Sequence, residues 1–218
     1  MSTERTIAAT VHGRYLLEIA DGPGRHRLLA GFHGYGEHAA LQLDRLRAVR
    51  GTAAWSLVSI QALHRFYRSG SNEVVSASWM TREDRELMIA DNISYVNGVL
   101  DAVEQECGQL QTIVYAGFSQ GASMAYRAAT LGSRQASGVI ALGGDIPPEL
   151  TEPTLAKVGR ALVGRGVRDP FYTTDTRDSD VRRLAAAGVA VVGVDFDAEH
   201  KWTESFTQAA SDWLDGPA

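Results

Sequence analysis

At 218 residues, 44% of them hydrophobic and 22% charged, the chain is long enough to bury a sizeable core and has the balance of an ordinary soluble globular protein. Its net charge of −5 argues against nucleic acid as the main partner, no apolar run approaches a membrane span, and the one cysteine, Cys107, excludes an internal disulfide or a cysteine-based metal cluster. Met1 to Thr6 has no apolar signal core, so the expected location is cytoplasmic, and the expected organisation is one domain over 1–218.

Residues 6–20 read as two strands around a His12-Gly13 turn, an N-terminal antiparallel hairpin, and Asp21-Gly22-Pro23-Gly24 reads as a loop. Arg27 to Phe32 is a short buried strand ending in His33-Gly34-Tyr35-Gly36-Glu37, and over 38–50 Ala39, Leu43, Leu46 and Val49 share a helical face. Ala53 to Ile60 is the next strand. Residues 61–80 have no clean period and read as a long loop, a length that usually marks function. Thr81, with Asp84 three residues on, predicts a capped helix start, and that helix runs to near Cys107 with Gly108 at its end. Thr112 to Ala116 is an apolar strand and residues 122–129 are helical. Ser137 to Leu142 is a strand, which Asp145-Ile146-Pro147-Pro148 cannot continue. The strand opening at Arg160 runs into Val167-Arg168-Asp169-Pro170; residues 175–187 are helical, 189–196 form the last strand and 202–214 the terminal helix. Apolar strands alternating with helices from residue 28 predict an α/β protein with a mostly parallel central sheet covered on both faces, the hairpin adding antiparallel edge strands.

The informative stretch is Gly117-Phe118-Ser119-Gln120-Gly121, a G-x-S-x-G match between a strand and a helix. That context predicts a nucleophile elbow, a turn tight enough to strain the serine and to need glycine on either side. A serine hydroxyl needs a base, and the base needs an orienting acid. Of six histidines only His200 lies C-terminal to Ser119, as the order Ser…Asp/Glu…His requires. Asp169 follows a strand between the two and is the candidate acid; Asp145, after the preceding strand, is its rival, while Asp175, Asp178 and Asp180 fall in or near a helix. The oxyanion donors expected are the backbone N–H groups of Gln120, directly after the nucleophile, and of Tyr35, in the glycine-flanked loop after the first parallel strand. His33 reads as a buried residue tying that loop down. All these residues follow strands and should share the carboxyl rim of the sheet.

Phe32-His33-Gly34-Tyr35-Gly36-Glu37, Gly-Phe-Ser-Gln-Gly, Asp169 and His200 resemble the phospholipase/carboxylesterase family of small α/β-hydrolases, which includes acyl-protein thioesterases and bacterial carboxylesterases. The likeness extends over residues 28–214, and Trp79 resembles a tryptophan these enzymes often carry ahead of the helix. The resemblance implies hydrolysis of carboxylic esters or thioesters of modest acyl length, no cofactor, and oxyanion donors at Tyr35 and Gln120. Three features depart from the family pattern: Asp197 and Glu199 before His200, Asp145 near the rim, and Pro170-Phe171-Tyr172 after the acid.

The expected activity is that of a serine esterase or thioesterase without a large cap domain or bound metal, acting on a small-molecule ester. Phe66, Tyr67, Trp79 and Phe118 are candidates for an apolar acyl pocket, with Asp145 at its rim. Two rivals use the same fold: a non-catalytic binding protein whose acidic rim recognises a cationic or hydroxylated molecule, and an acyltransferase or peptidase on the same triad. A homodimer is compatible with the sequence.

Overall fold

The computed structural model describes residues 2–21, 26–49, 55–67 and 74–216. Part of the expected loop at Gly22-Pro23-Gly24, the start of the strand at Ala53-Ala54 and the Ser69-to-Asn72 stretch lie outside the described residues. The elements run β1 (Arg14–Glu18), β2 (His26–Phe32), α1 (Ala39–Val49), β3 (Ser56–Gln61), β4 (His64–Tyr67), β5 (Val75–Ser78), α2 (Arg85–Cys107), β6 (Leu110–Phe118) and α3 (Gln120–Leu131). They continue with β7 (Gly138–Leu142), α4 (Glu152–Leu155), a 3-10 turn (Ala156–Val158), β8 (Arg160–Gly166), α5 (Thr174–Ala186), β9 (Ala190–Phe196) and α6 (Glu204–Asp215).

Seven strands form one sheet in the order β1-β3-β2-β6-β7-β8-β9. β1 is antiparallel to β3, and every other pairing in this sheet is parallel. Alternation of side chains sorts the strands between two cores. Leu28, Ala30, Phe32 and Tyr115 face the layer containing Leu100 of α2, Met124 of α3 and Leu184 of α5. Leu29, Val114 and Ala116 face Leu46 of α1 and Phe206 of α6. Burial on both faces explains why the central strands read as unbroken apolar runs. The register sets Phe32 opposite Gly117 and Phe118 opposite Leu142, so β2, β6 and β7 end level.

Three expectations change. The N-terminal segment contributes one antiparallel strand: only Arg14–Glu18 finds a partner, β3, while residues 2–13 have no regular structure. Around the start of β1, the His12 carbonyl accepts from Arg65 at 2.7 Å and the Arg14 N–H donates to the Tyr95 hydroxyl at 2.9 Å. The stretch expected as a loop holds an antiparallel pair, β4 with β5, and Ala77 bridges from it to Glu37. α2 starts at Arg85, and its cap Asp84 is left-handed (φ 47°) with no side-chain cap bond. Thr81 instead accepts from the Glu83 N–H at 3.3 Å.

Candidate active site

β6 passes into α3 through Ser119, which sits at φ 55°, ψ −123°. A non-glycine residue held there is strained. The fold holds it because the Ser119 N–H donates to the Leu142 carbonyl of β7 at 2.8 Å and the Ser119 carbonyl accepts from the Ala122 N–H at 2.9 Å. A Cβ at Gly117 would lie 2.1 Å from the Gly121 oxygen, and one at Gly121 would lie 2.1 Å from the Phe32 oxygen. The two glycines let α3 enter against β2 and β6.

The Ser119 Oγ is 2.8 Å from His200 Nε2, and His200 Nδ1 is 2.7 Å from Asp169 Oδ2. The other carboxylate oxygen, Oδ1, accepts the N–H groups of Phe171 at 2.9 Å and Tyr172 at 3.0 Å. Asp169 is therefore an oriented acceptor, and its side chain is only 1% exposed. The acid and base loops are tied together: Val167 N–H donates to the Phe196 carbonyl at 2.8 Å and Arg168 N–H to the Ala198 carbonyl at 2.9 Å. Phe118 and Phe171 pack on the imidazole with ring centroids at 4.9 and 5.1 Å. Asp145, the rival acid, does not meet His200; it is exposed, and its carbonyl accepts from Ser123. Asp197, one of the extra acids before His200, pairs with Arg168.

The loop after β2 is braced from below. His33 is fully buried, with Nδ1 donating to the Gly34 carbonyl at 2.7 Å and Nε2 accepting the Ala62 N–H at 3.1 Å. Burial pulls its pKa down to about 4, so it stays neutral. Glu37 accepts the Gly34 N–H at 2.8 Å and takes a two-pronged contact from Arg45, both arms at 2.7 Å. Burial pushes the Glu37 carboxyl up, but the Arg45 bonds and charge outweigh it and hold it below the ordinary range. The Arg45 guanidinium stacks on Phe118 at 4.7 Å and Trp202 at 5.3 Å. The N–H groups of Gly34, Gly36 and Glu37 are all bonded, whereas that of Tyr35 has no partner among the described residues. The Gln120 N–H opens α3, where no intrahelical carbonyl is available.

A cleft of about 390 Å³ lies beside Ser119, lined among others by Ser123, Asp145, Phe171, Tyr172 and Thr176. None of the four aromatics expected to form an acyl pocket lines it. Trp79 is fully buried beneath the loop, donating through its indole N–H to the His33 carbonyl at 2.8 Å. Phe118 lies under His200, Phe66 packs on Tyr35 at 5.5 Å, and Tyr67 stands 58% exposed on β4. Phe171, at 77% exposed, and the buried Tyr172 are the cleft aromatics that sequence reasoning missed; the signal was their place two and three residues after the acid. The Gln120 side chain also has a role not foreseen, accepting the Trp79 N–H at 2.8 Å and donating to the Met80 carbonyl at 2.9 Å.

A mostly parallel sheet with helices on both faces and a serine at a strained strand-to-helix turn is the α/β-hydrolase architecture. The model of the phospholipase/carboxylesterase family matches residues 23–215, and the chain belongs to that family. Its fold is similar to those of a Mesorhizobium loti carboxylesterase (TM-score 0.76, 18% identity, 95% of this chain and 96% of that one) and a Bacillus cereus carboxylesterase (0.74, 17%, 93% of each). Zea mays acyl-protein thioesterase 2 is a further structural neighbour (TM-score 0.70, 17% identity, 94% of this chain and 98% of that one). No curated protein matches the sequence significantly. Among the described residues, no helix is long and apolar enough to cross a membrane.

Proposed function

We propose that the chain is a serine hydrolase of carboxylic esters or thioesters, with Ser119 as nucleophile, His200 as general base and acid, and Asp169 as the residue orienting the imidazole. The observation that carries this reading is the continuous chain from Ser119 Oγ to His200 Nε2 at 2.8 Å and from His200 Nδ1 to Asp169 at 2.7 Å. Family membership and the esterase and thioesterase neighbours support it.

His200 Nε2 takes the Ser119 proton as Oγ attacks the acyl carbon, and Asp169, accepting from Nδ1–H, stabilises the imidazolium that results. The tetrahedral oxyanion accepts from the backbone N–H groups of Tyr35 and Gln120. Collapse expels the alcohol or thiol with the proton held on Nε2, leaving an acyl-Ser119 ester. His200 then deprotonates a water, which attacks that ester; the second tetrahedral intermediate releases the acid and returns the proton to Oγ.

Labelling by a fluorophosphonate, wild type beside Ser119→Ala, tests the assignment. The expected result is a wild-type adduct on the Ser119 peptide and none on the folded variant, with ester turnover lost in parallel. Undiminished hydrolysis by Ser119→Ala would falsify the reading.

A further inference from the structure

We propose, resting on the hydrolase reading of Ser119, that the substrate carries a cationic alkylammonium group in its non-reacting part, and that Asp145 with Phe171 recognises it in the cleft beside the nucleophile. Asp145 and Phe171 line the same cleft as Ser119, and Gly143, two residues before Asp145, lies against the triad, its ideal Cβ standing 3.2 Å from both the Asp169 carboxylate and the His200 ring. The Asp145 side chain is exposed and has no ion pair among the described residues. Its one side-chain contact is the Ser123 hydroxyl at 3.4 Å, and that hydroxyl donates better to the Asp145 backbone carbonyl, at 2.9 Å.

The cations nearby are already matched. Arg127 and Arg85 share Glu149, at 2.7 and 2.8 Å. Arg183 donates to the carbonyls of Ile146, Pro147 and Leu150 and lies 3.6 Å from Asp180. Arg168 is paired with Asp197. No lysine or arginine lines the cleft among its described residues. A second carboxylate, Asp180, lies behind the cleft wall, where it accepts the Ile146 N–H and the Tyr172 hydroxyl, each at 3.0 Å, and is matched by Arg183, so Asp145 is the one carboxylate lining the cleft among its described residues. The rest of the lining is small and polar, Ser123, Thr176 and a pair of glycines, apart from Tyr172 and the exposed ring of Phe171. That surface suits a long acyl chain poorly. An unpaired carboxylate sharing a cleft with an exposed aromatic ring is the chemistry that binds alkylammonium groups, through charge on one side and the ring face on the other.

The test is a matched set of small esters: acetylcholine, its neutral carbon isostere 3,3-dimethylbutyl acetate, a glycerol monoester and an anionic hemisuccinate. Each is assayed with wild type, Asp145→Asn and Asp145→Lys. The readout is the ratio of kcat/KM for the cationic ester to that for its isostere, which is unaffected by the fraction of enzyme that folds. Wild type should favour the cationic ester by about five- to tenfold at low salt, as expected for an ionic and cation–π contact in a partly exposed cleft. The ratio should fall toward one in Asp145→Asn and toward one in wild type at about 0.5 M salt, where screening is strong. Asp145→Lys should instead raise the hemisuccinate relative to the isostere. A wild-type ratio near one, or a ratio unchanged in Asp145→Asn, overturns the proposal. So does a preference for the glycerol ester that depends on Asp145 without a cationic preference, which would assign the carboxylate to hydroxyl recognition. If no ester is turned over and the phosphonate fails to label Ser119, the hydrolase reading itself falls and this proposal with it. Labelling of Ser119 with no cationic preference removes this proposal alone.

Discussion

At the scale of single residues, the site depends on a serine kept where serine does not rest. The φ of 55° at Ser119 costs on the order of 1–3 kcal/mol, and the strain persists only because neighbours leave the turn no other path. Gly121 is one of those neighbours. Its missing side chain is the space in which the Phe32 carbonyl of β2 lies, and an ideal Cβ would meet that oxygen at 2.1 Å. Both partners are backbone in central, buried elements, so no rotamer change relieves the clash. Gly121→Ala should therefore destabilise the fold by about 3 kcal/mol or more, at or beyond the upper end of ordinary overpacking. Urea unfolding of the two proteins measures this directly; a change below about 1 kcal/mol would mean that α3 shifts freely against β2. The G-x-S-x-G pattern was legible in the sequence because this requirement is local: strand, turn and helix are contiguous, and each glycine answers to a contact made within the same turn or one strand away.

Elements show where that legibility ends. Val75-Ser76-Ala77-Ser78 reads as loop because serine and alanine carry little strand signal, yet Ser76 and Ser78 are buried, and Ala77 accepts from the Gly36 N–H and donates to the Glu37 carbonyl, each at 2.9 Å. That strand pairs along its length with β4, and its Ala77 also bridges to the loop after β2, a partner some 40 residues distant in the chain. The choice of Asp169 over Asp145 has the same character. Both follow strands, and the decision rests on Arg168 N–H reaching the Ala198 carbonyl, which sets the acid loop against the histidine loop. The aromatics failed as pocket markers because residue type does not say which way a ring points: Trp79 turns into the core and Phe171 into the cleft. Gln120 joins these distant pieces, since its amide holds both Trp79 N–H and the Met80 carbonyl at the end of β5. Gln120→Met keeps the bulk and removes both bonds. It should cost roughly 2–3 kcal/mol, the loss of two partly buried hydrogen bonds, and speed amide exchange over residues 75–80. A loss confined to global stability, with exchange in that strand unchanged, would show that Gln120 does not anchor it.

On the scale of the whole molecule, two buried titratable groups, His33 and Asp180, work against each other. Burial lowers His33 from 6.5 to about 4, so between those values the native state binds fewer protons than the unfolded chain, and stability rises with pH. Burial, reinforced by the charge of Asp145, raises Asp180 from 3.8 to about 6. Between those values the native state binds more protons than the unfolded chain, so stability falls as pH rises. Each shift is worth roughly 3 kcal/mol, and the windows overlap from about pH 4 to 6, so the two contributions nearly cancel in the wild type. Glu37, held low by Arg45, adds its own loss only as pH falls below the ordinary carboxylate range. The melting temperature of wild type should accordingly be almost level between about pH 4.5 and 6. Asp180→Asn keeps an acceptor for the Ile146 N–H but removes the titration, leaving His33 unopposed. Its melting temperature should climb across the same window, by on the order of 5 °C for a chain of this length. Parallel profiles for the two proteins would mean that Asp180 ionises in the folded state as it does in water, and that the cleft wall behind Asp145 is open enough to hydrate it.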